Sequence, residues 1–307
     1  MPILSTKGAI SAQGYGFASP ALDATFGIFA LGNVTATRNK YTFASCLSCA
    51  ATSSSANSAF GSAAGNSTRG IFAIGQTCGS VRVATRNKYT YACNTNGTAT
   101  ASSANSAQGE ATGNSTRGIF ALGFTTVAST TRDKYTYACD TNGSATASSV
   151  ASNLGAATGN STRGIFQLAN STTTRNKYTY ACDANAVATA ASATSTGGSA
   201  TGNCTRGIFA IGSQTTTRNK YTYACDTSTA TGVGAASAVS FRGAATGNST
   251  RGIFALGATG SPCAAPSTAR NKYTYACDTS TASGVAVSSA VSTGGAAASN
   301  GISGVNL

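Results

Sequence analysis

Two short strings recur six times along this chain and leave few folds open to it. GIFALG or a close variant starts at Gly27, Gly70, Gly118, Gly164, Gly207 and Gly252. Each copy is followed by TRNKYTY or a variant, whose arginine is Arg38, Arg86, Arg132, Arg175, Arg218 or Arg270. Successive arginines lie 48, 46, 43, 43 and 52 residues apart. That period fits a four-stranded propeller blade and is too long for a leucine-rich or β-helix coil. The unit has no helical periodicity, which excludes helical arrays. The expectation is an all-β chain, a six-bladed β-propeller of four-stranded antiparallel blades.

Each unit divides into four short strands. The first is small, as in GEATGN ending at Asn114. The second, RGIFALG, is a continuous apolar run suited to burial on both faces. The third, NKYTYACD, alternates, with Tyr89, Tyr91 and Cys93 on one side. The fourth is a Thr/Ala/Ser segment such as TATASS from Thr98. Gly-Asn and Asn-Gly pairs between them read as turns. Small first strands suit the crowded axis of a propeller. Units fall near 24–66, 67–114, 115–160, 161–203, 204–248 and 249–300. The unit beginning near Ala24 lacks its own small first strand, and a spare copy, GGAAASN, runs from Gly294 to Asn300. This segment is expected to enter blade one as its innermost strand and close the ring, removing exposed edges. Residues 18–307 then form the propeller and residues 1–17 an anchoring arm outside it.

Charge is sparse, at 9% of residues, but lopsided: 20 basic against 7 acidic side chains, a net +13. Such an excess suggests an acidic partner. Seventeen of the basic residues are copied with the repeat, at the TRG, TRN and NKY positions. Two readings stand. They are structural and pair with turn carbonyls or with Asp140, Asp183, Asp226 and Asp278, or they form a symmetric basic rim around something anionic. The rim reading puts Arg86, Arg132, Arg175, Arg218 and Arg270 in a binding surface.

Strand direction places the 2–3 and 4–1 connections on one face and the 1–2 and 3–4 turns on the other. The 1–2 turn, GNSTRG, is nearly constant, whereas the 2–3 loops hold 5, 10, 8, 5, 5 and 12 residues. Function gathers on variable loops held by a rigid scaffold. The candidate binding surface is therefore the face bearing Gln76–Thr85 (with Gln76 and Arg82), Phe124–Thr131 (with Phe124) and Ala258–Ala269, against drift in unconstrained loops. Asn-Ser-Thr triplets such as Asn66-Ser67-Thr68 read as Asn-led turns rather than glycosylation sites.

The chain has 10 cysteines. Cys93, Cys139, Cys182, Cys225 and Cys277 recur at the end of the third strand and read as small buried core residues. Cys46 and Cys49 form a lone CxxC, a candidate disulfide with no second CxxC or histidine to complete a zinc site. Cys204 replaces serine in GNSTRG and should lie level with Cys225, a second candidate disulfide. Cys78 and Cys263 stay unassigned.

Catalytic chemistry is thin. The chain has no histidine, and Glu110 is its single glutamate. The aspartates sit at equivalent positions on separate units. The glycines follow turns rather than a phosphate-binding pattern. An enzyme, a cofactor and a metal are not expected. No apolar run approaches ~18 residues, so membrane insertion is not expected. The tyrosines alternate inside strands, which favours packing between blades over base stacking and speaks against nucleic acid. The start, MPILSTKGAISAQGYGF, has no basic region followed by an apolar stretch and does not read as a standard secretory signal; with ten cysteines, either the thiols stay reduced or the protein leaves the cell by a route other than secretion, such as lysis.

GNSTRGIFALG followed by TTRNKYTYACDT resembles the kelch-like propeller repeats of many tailed-bacteriophage and marine viral structural proteins, over about residues 24–300. The first 17 residues resemble N-terminal segments of tailed-phage virion proteins. The repeat departs from kelch domains proper in having no Gly-Gly doublet after the second strand and no tryptophan, so no ligand site is carried over. The resemblance implies a virion structural protein on a tail, neck or capsid, made in the host cytoplasm and released by lysis. It would be joined to other virion proteins through its arm, with a host-surface glycan, a neighbouring subunit or a further copy of itself at its outer face. The alternative is a secreted bacterial lectin-like or surface-layer propeller.

Overall fold

The recurring apolar string forms the second strand of each blade: Phe26–Ala30, Arg69–Ala73, Arg117–Ala121, Arg163–Gln167, Arg206–Ala210 and Arg251–Ala255. The computed structural model describes residues 23–259 and 265–301. Each second strand pairs antiparallel with the NKY strand in one constant register, so that Ile119 faces Lys134 in the same way that Ile253 faces Lys272. Six four-stranded sheets result, a six-bladed β-propeller.

The small segments are the innermost strands. Ser62–Gly65, Glu110–Gly113, Ala156–Gly159, Ser199–Gly202, Ala244–Gly247 and Ala296–Ser299 each contact the next around the axis. Their second residues are all alanine: Ala63, Ala111, Ala157, Ala200, Ala245 and Ala297. These line a waist between two axial chambers of about 70 Å³ each. Ring closure is as expected. Ala296–Ser299 pairs antiparallel with Phe26–Ala30, placing Ala298 opposite Ile28. The units cut from the sequence thus each hold three strands of one blade and the first strand of the next. The arm at 1–17, and the boundary at 18, lie outside the described residues.

The core lies between blades. Ala64, Ile71 and Ala99 of blade two pack against Phe120, Tyr135 and Tyr137 of blade three, and the other interfaces repeat the arrangement. Burying each such Ile, Phe or Tyr stabilises the interface by roughly 1.5–3 kcal/mol. The tyrosines are therefore occupied in packing, as their alternation suggested.

The third strand is shorter than expected and the cysteine assignment fails with it. The strand ends at Thr90, Thr136, Thr179, Thr222 or Thr274, and a tight turn follows before the fourth strand begins, at Thr95 in blade two rather than near Thr98. Asn94, Asp140, Asp183, Asp226 and Asp278 close these turns with φ of 52° to 55°, a left-handed conformation that Asn and Asp tolerate best. Cys93, Cys139, Cys182, Cys225 and Cys277 sit inside the turns and are exposed, not buried.

The 4–1 connections bridge to the 2–3 loops, as Ala107 does to Phe124 and Thr196 to Gly212. One face of the disc thus carries both kinds of loop, and the other the 1–2 and 3–4 turns. They are called here the loop face and the turn face.

Candidate binding face

The basic rim does not exist. Arg86, Arg132, Arg175, Arg218 and Arg270, with Arg38, are each no more than 2% exposed. Each guanidinium lies 4.2–4.6 Å from the ring of a phenylalanine in the next blade. Each also donates to the next blade's third and fourth strands. Arg132 donates to Asn185 Oδ1 at 2.8 Å and Asn176 Oδ1 at 3.3 Å, and Arg86 to Asn142 Oδ1 and Asp133 Oδ2, both at 2.8 Å. Arg270 of blade six reaches Ser48 and Asn39 of blade one, so the series closes. Desolvation lowers the Arg175 pKa to about 9 and that of Arg132 to about 10. Stacking on an aromatic ring away from water offsets part of that cost.

The other repeated cations are also engaged, here as the structural reading expected. Arg69, Arg117, Arg163, Arg206 and Arg251 donate to turn carbonyls of the next blade, at 2.8–3.1 Å. Lys88, Lys134, Lys177 and Lys220 pair with Asp140, Asp183, Asp226 and Asp278 at 2.5–2.6 Å. Partial burial would raise the Asp183 pKa, but hydrogen bonds from Lys134 and Tyr178 hold it down to about 2. The Asn-Ser-Thr triplets make Asn-led turns. Asn114 Oδ1 accepts from Thr116 N and Arg117 N at 3.0 Å, while its Nδ2 donates to Ser161 O of the next blade at 3.2 Å. The turn face is thus tiled by contacts that all run the same way round the ring.

The loop face differs. Of the candidates named there, Gln76, Arg82 and Phe124 come together. Gln76 bridges Arg82 across its loop, and the Arg82 guanidinium lies 5.0 Å from the Phe124 ring of the next blade. Beside them is an open cleft of about 490 Å³, lined by Ser80, Val81, Arg82, Asn105 and Thr125 among others. Val81 and Val127 stand exposed near it, at 57% and 66%. The third loop, at 258–269, is described only in part; its visible pieces, Ala258–Thr259 and Ala265–Pro266, form a two-stranded ribbon.

Sequence reasoning missed the axial mouth of this face. Phe60, Gln108, Leu154, Gly197, Arg242 and Gly294 occupy one equivalent position, just before each first strand. Each donates its N–H to the carbonyl of the preceding one at 2.7–2.8 Å, a closed collar of six backbone hydrogen bonds. All six have φ between 54° and 65°. The legible trace was a glycine recurring before each small strand and preceded by a residue that varies from copy to copy. Arg242 carries the mouth's positive charge. Its guanidinium lies 4.7 Å from the Phe60 ring and 4.6 Å from the Phe241 ring. Across the opening Asn153 Nδ2 donates to Gln108 Oε1 at 3.3 Å. Below, Glu110 is 4% exposed, and among the described residues neither carboxylate oxygen has a hydrogen-bond partner of good geometry. Burial pushes its pKa up to about 8, against the pull of Arg132 and of the nearby Gly155 N–H.

The disulfide candidates fail. Cys46, Cys49, Cys204 and Cys225 are free thiols. The Cys46 and Cys49 thiols turn to the separate carbonyls of Phe43 and Lys40. The Cys225 sulfur lies 3.1 Å from Thr227 Oγ1, while Cys204 sits in the 1–2 turn, where its carbonyl accepts from Asn160 of the preceding blade. Among the described residues no three His, Cys, Asp or Glu gather where they could hold a metal. The geometry offers recognition: cations stacked on rings beside a cleft and an axial opening.

No family model and no curated protein matches the chain. Among solved structures, that of YjhT is similar, with a TM-score of 0.66 over 85% of this chain and 95% of that one, at 11% identity. The likeness supports the propeller. At that identity it carries the fold alone, and the kelch-like character of the repeats remains a likeness of motifs.

Proposed function

We propose that this chain is a non-enzymatic virion protein, held on a bacteriophage tail, neck or capsid through residues 1–17 and presenting its loop face to an anionic host-surface glycan or a neighbouring subunit. The observation that supports a binding role is where the uncommitted arginines lie. The repeated arginines are all engaged at blade interfaces. The two outside the repeat, Arg82 and Arg242, are both on the loop face, stacked on phenylalanine rings and, among the described residues, with no side-chain hydrogen bond or ion pair. A guanidinium on an aromatic face keeps its donors available to an anion. The likeness of the repeat strings to viral propellers supports the virion placement. Cofactor, nucleic acid and membrane insertion have no part in this reading.

Mass spectrometry of purified particles tests the placement, with the chain expected among the virion proteins. Its absence there, with a cleaved or lipidated form in the culture medium, would overturn the placement in favour of a lectin-like or surface-layer propeller. A glycan array tests the face: acidic glycans should bind, and Arg82→Met with Arg242→Met should abolish the binding.

A further inference from the structure

The collar at the axial mouth holds side chains at a cost. A left-handed backbone suits glycine and costs other residues about 1 kcal/mol or more, yet Phe60, Gln108, Leu154 and Arg242 all adopt it, with φ of 54° to 62°. The main-chain collar would close with glycine at every position, as it does at Gly197 and Gly294. Strain retained without a structural need points to use.

The two glycines are placed to serve Arg242, which lies between them in the collar. A Cβ at Gly294 would sit 2.7 Å from the Phe60 ring, and one at Gly197 2.7 Å from the Phe241 ring. Only glycine lets those rings lean in from either side. The guanidinium is thereby flanked by two phenyl rings, its Nε buried and without a partner, and no acceptor from the described residues lies within hydrogen-bond distance of it. The space before it, about 40 Å³, is lined by the collar residues and the glycines that follow them. That is room for about three waters, hence for a three-atom group.

We propose that the axial mouth of the loop face is a seat for one carboxylate, gripped by Arg242 between Phe60 and Phe241, with the hydroxyl-bearing remainder of the ligand facing Gln108 and Asn153. The seat rests on the binding reading given above and names its ligand as a carboxylate-bearing sugar. A planar monoanion matches the fork of a single guanidinium in two parallel hydrogen bonds. A phosphate dianion would need a second cation, and the residues lining the opening supply none. Burial raises the pKa of Glu110 in the chamber below to about 8, which favours its neutral form at pH 7 and weakens any repulsion of the ligand.

The test is a titration of the full chain followed through the Arg242 Nε–Hε resonance, assigned by its loss in Arg242→Lys. The probes are acetate, galacturonate, galactose and inorganic phosphate. Acetate and galacturonate should shift the resonance and galactose should not. Arg242→Lys should weaken galacturonate at least about ten-fold, and Lys134→Met on the turn face should leave it unchanged. No shift with either carboxylate at high millimolar concentration overturns the seat, and this wild-type result decides even if a variant fails to fold. Tighter binding of phosphate overturns the choice of carboxylate. Galacturonate binding that survives Arg242→Lys but is lost in Arg82→Met moves the ligand to the lateral cleft, which overturns the seat and leaves the binding role of the face standing.

Discussion

The two faces of the disc are built from the same repeats and use them in opposite ways. On the turn face the blades repeat one another: an Asn-led turn at each, at five of them an arginine to a neighbour's carbonyl and, at four of the interfaces, a lysine to a neighbour's aspartate. On the loop face the backbone frame is shared, but the 2–3 loops range from 5 to 12 residues and the collar side chains differ, and among the described residues neither Arg82 nor Arg242 is paired with an acid. The contrast teaches that the large positive charge is mostly a device of assembly. Seventeen of the 20 basic residues belong to the repeat, and every arginine among them makes at least one side-chain hydrogen bond to the next blade. What is left for a partner is small in number and confined to one side.

The comparison can be broken most sharply at a buried clamp. Arg218→Ala removes a guanidinium 4.3 Å from the Phe254 ring, takes from Ser280 Oγ the hydrogen bond that Arg218 donates and leaves Asn271 Oδ1 with Ser237 N alone. It should cost about 3–5 kcal/mol in denaturant unfolding, whereas Arg82→Ala on the loop face should stay within about 0.5 kcal/mol. Equal losses would mean that the two classes of arginine are not distinct.

Glu110 comes next. Its folded pKa, about 8, lies above the ordinary 4.5. Its contribution to stability is therefore full below pH ~4.5 and is lost as pH rises through ~8. Glu110→Gln should flatten that decline, worth on the order of a few kcal/mol, as read from melting at pH 5 and pH 8.5. An unchanged slope would show that the carboxylate finds a partner.

The lysine–aspartate pairs should matter less. Asp183 has a depressed pKa of about 2, so its pairing stabilises above pH ~4 and is lost as pH falls toward 2. Because both partners are more than a quarter exposed, Lys134→Met should cost no more than about 1 kcal/mol. It should also move the Asp183 carboxyl titration upward by NMR. Smallest of all, Cys139→Ser should leave stability within about 0.5 kcal/mol. A thiol reagent should label Cys93, Cys139, Cys182, Cys225 and Cys277 in the native protein, and slow labelling would restore the buried assignment rejected above.

The period, the strand order and the closing segment were legible because each is a regularity, and regularities survive in a one-dimensional text. Ala298 opposite Ile28 follows from copy-counting alone. The burial of Arg218 was not legible. An arginine before an alternating strand reads as surface by its chemistry, and only the stacked neighbour blade, many residues away, supplies the ring and the amide that make burial tolerable. The cysteines misled in the opposite sense. Period-2 alternation carried past Thr90 assigns Cys93 to the core, but the left-handed Asn94 ends the strand first. Gln76, Arg82 and Phe124 were grouped correctly because loop length singled them out. The mouth was missed because only the glycine after each collar residue recurs, and the collar residue itself differs from copy to copy.

One consequence of the closing strand is mechanical. The chain joins the ring at Asp23, whose carboxylate accepts from Ser249 N and Oγ of blade six at 2.7 and 2.6 Å. Two residues on, Thr25 and Phe26 donate to Asn300 Oδ1 at 2.9 and 3.0 Å. The two ends of the described chain are thus fastened to each other at one seam. A pull applied at Asp23 is delivered first to the carboxylate latch on blade six and the asparagine latch on the last strand, and then to the ladder joining Phe26–Ala30 to Ala296–Ser299. If the particle is gripped by the leading segment and the host by the loop face, the load path crosses that seam. Its rupture force then sets how hard the disc can be pulled before it opens.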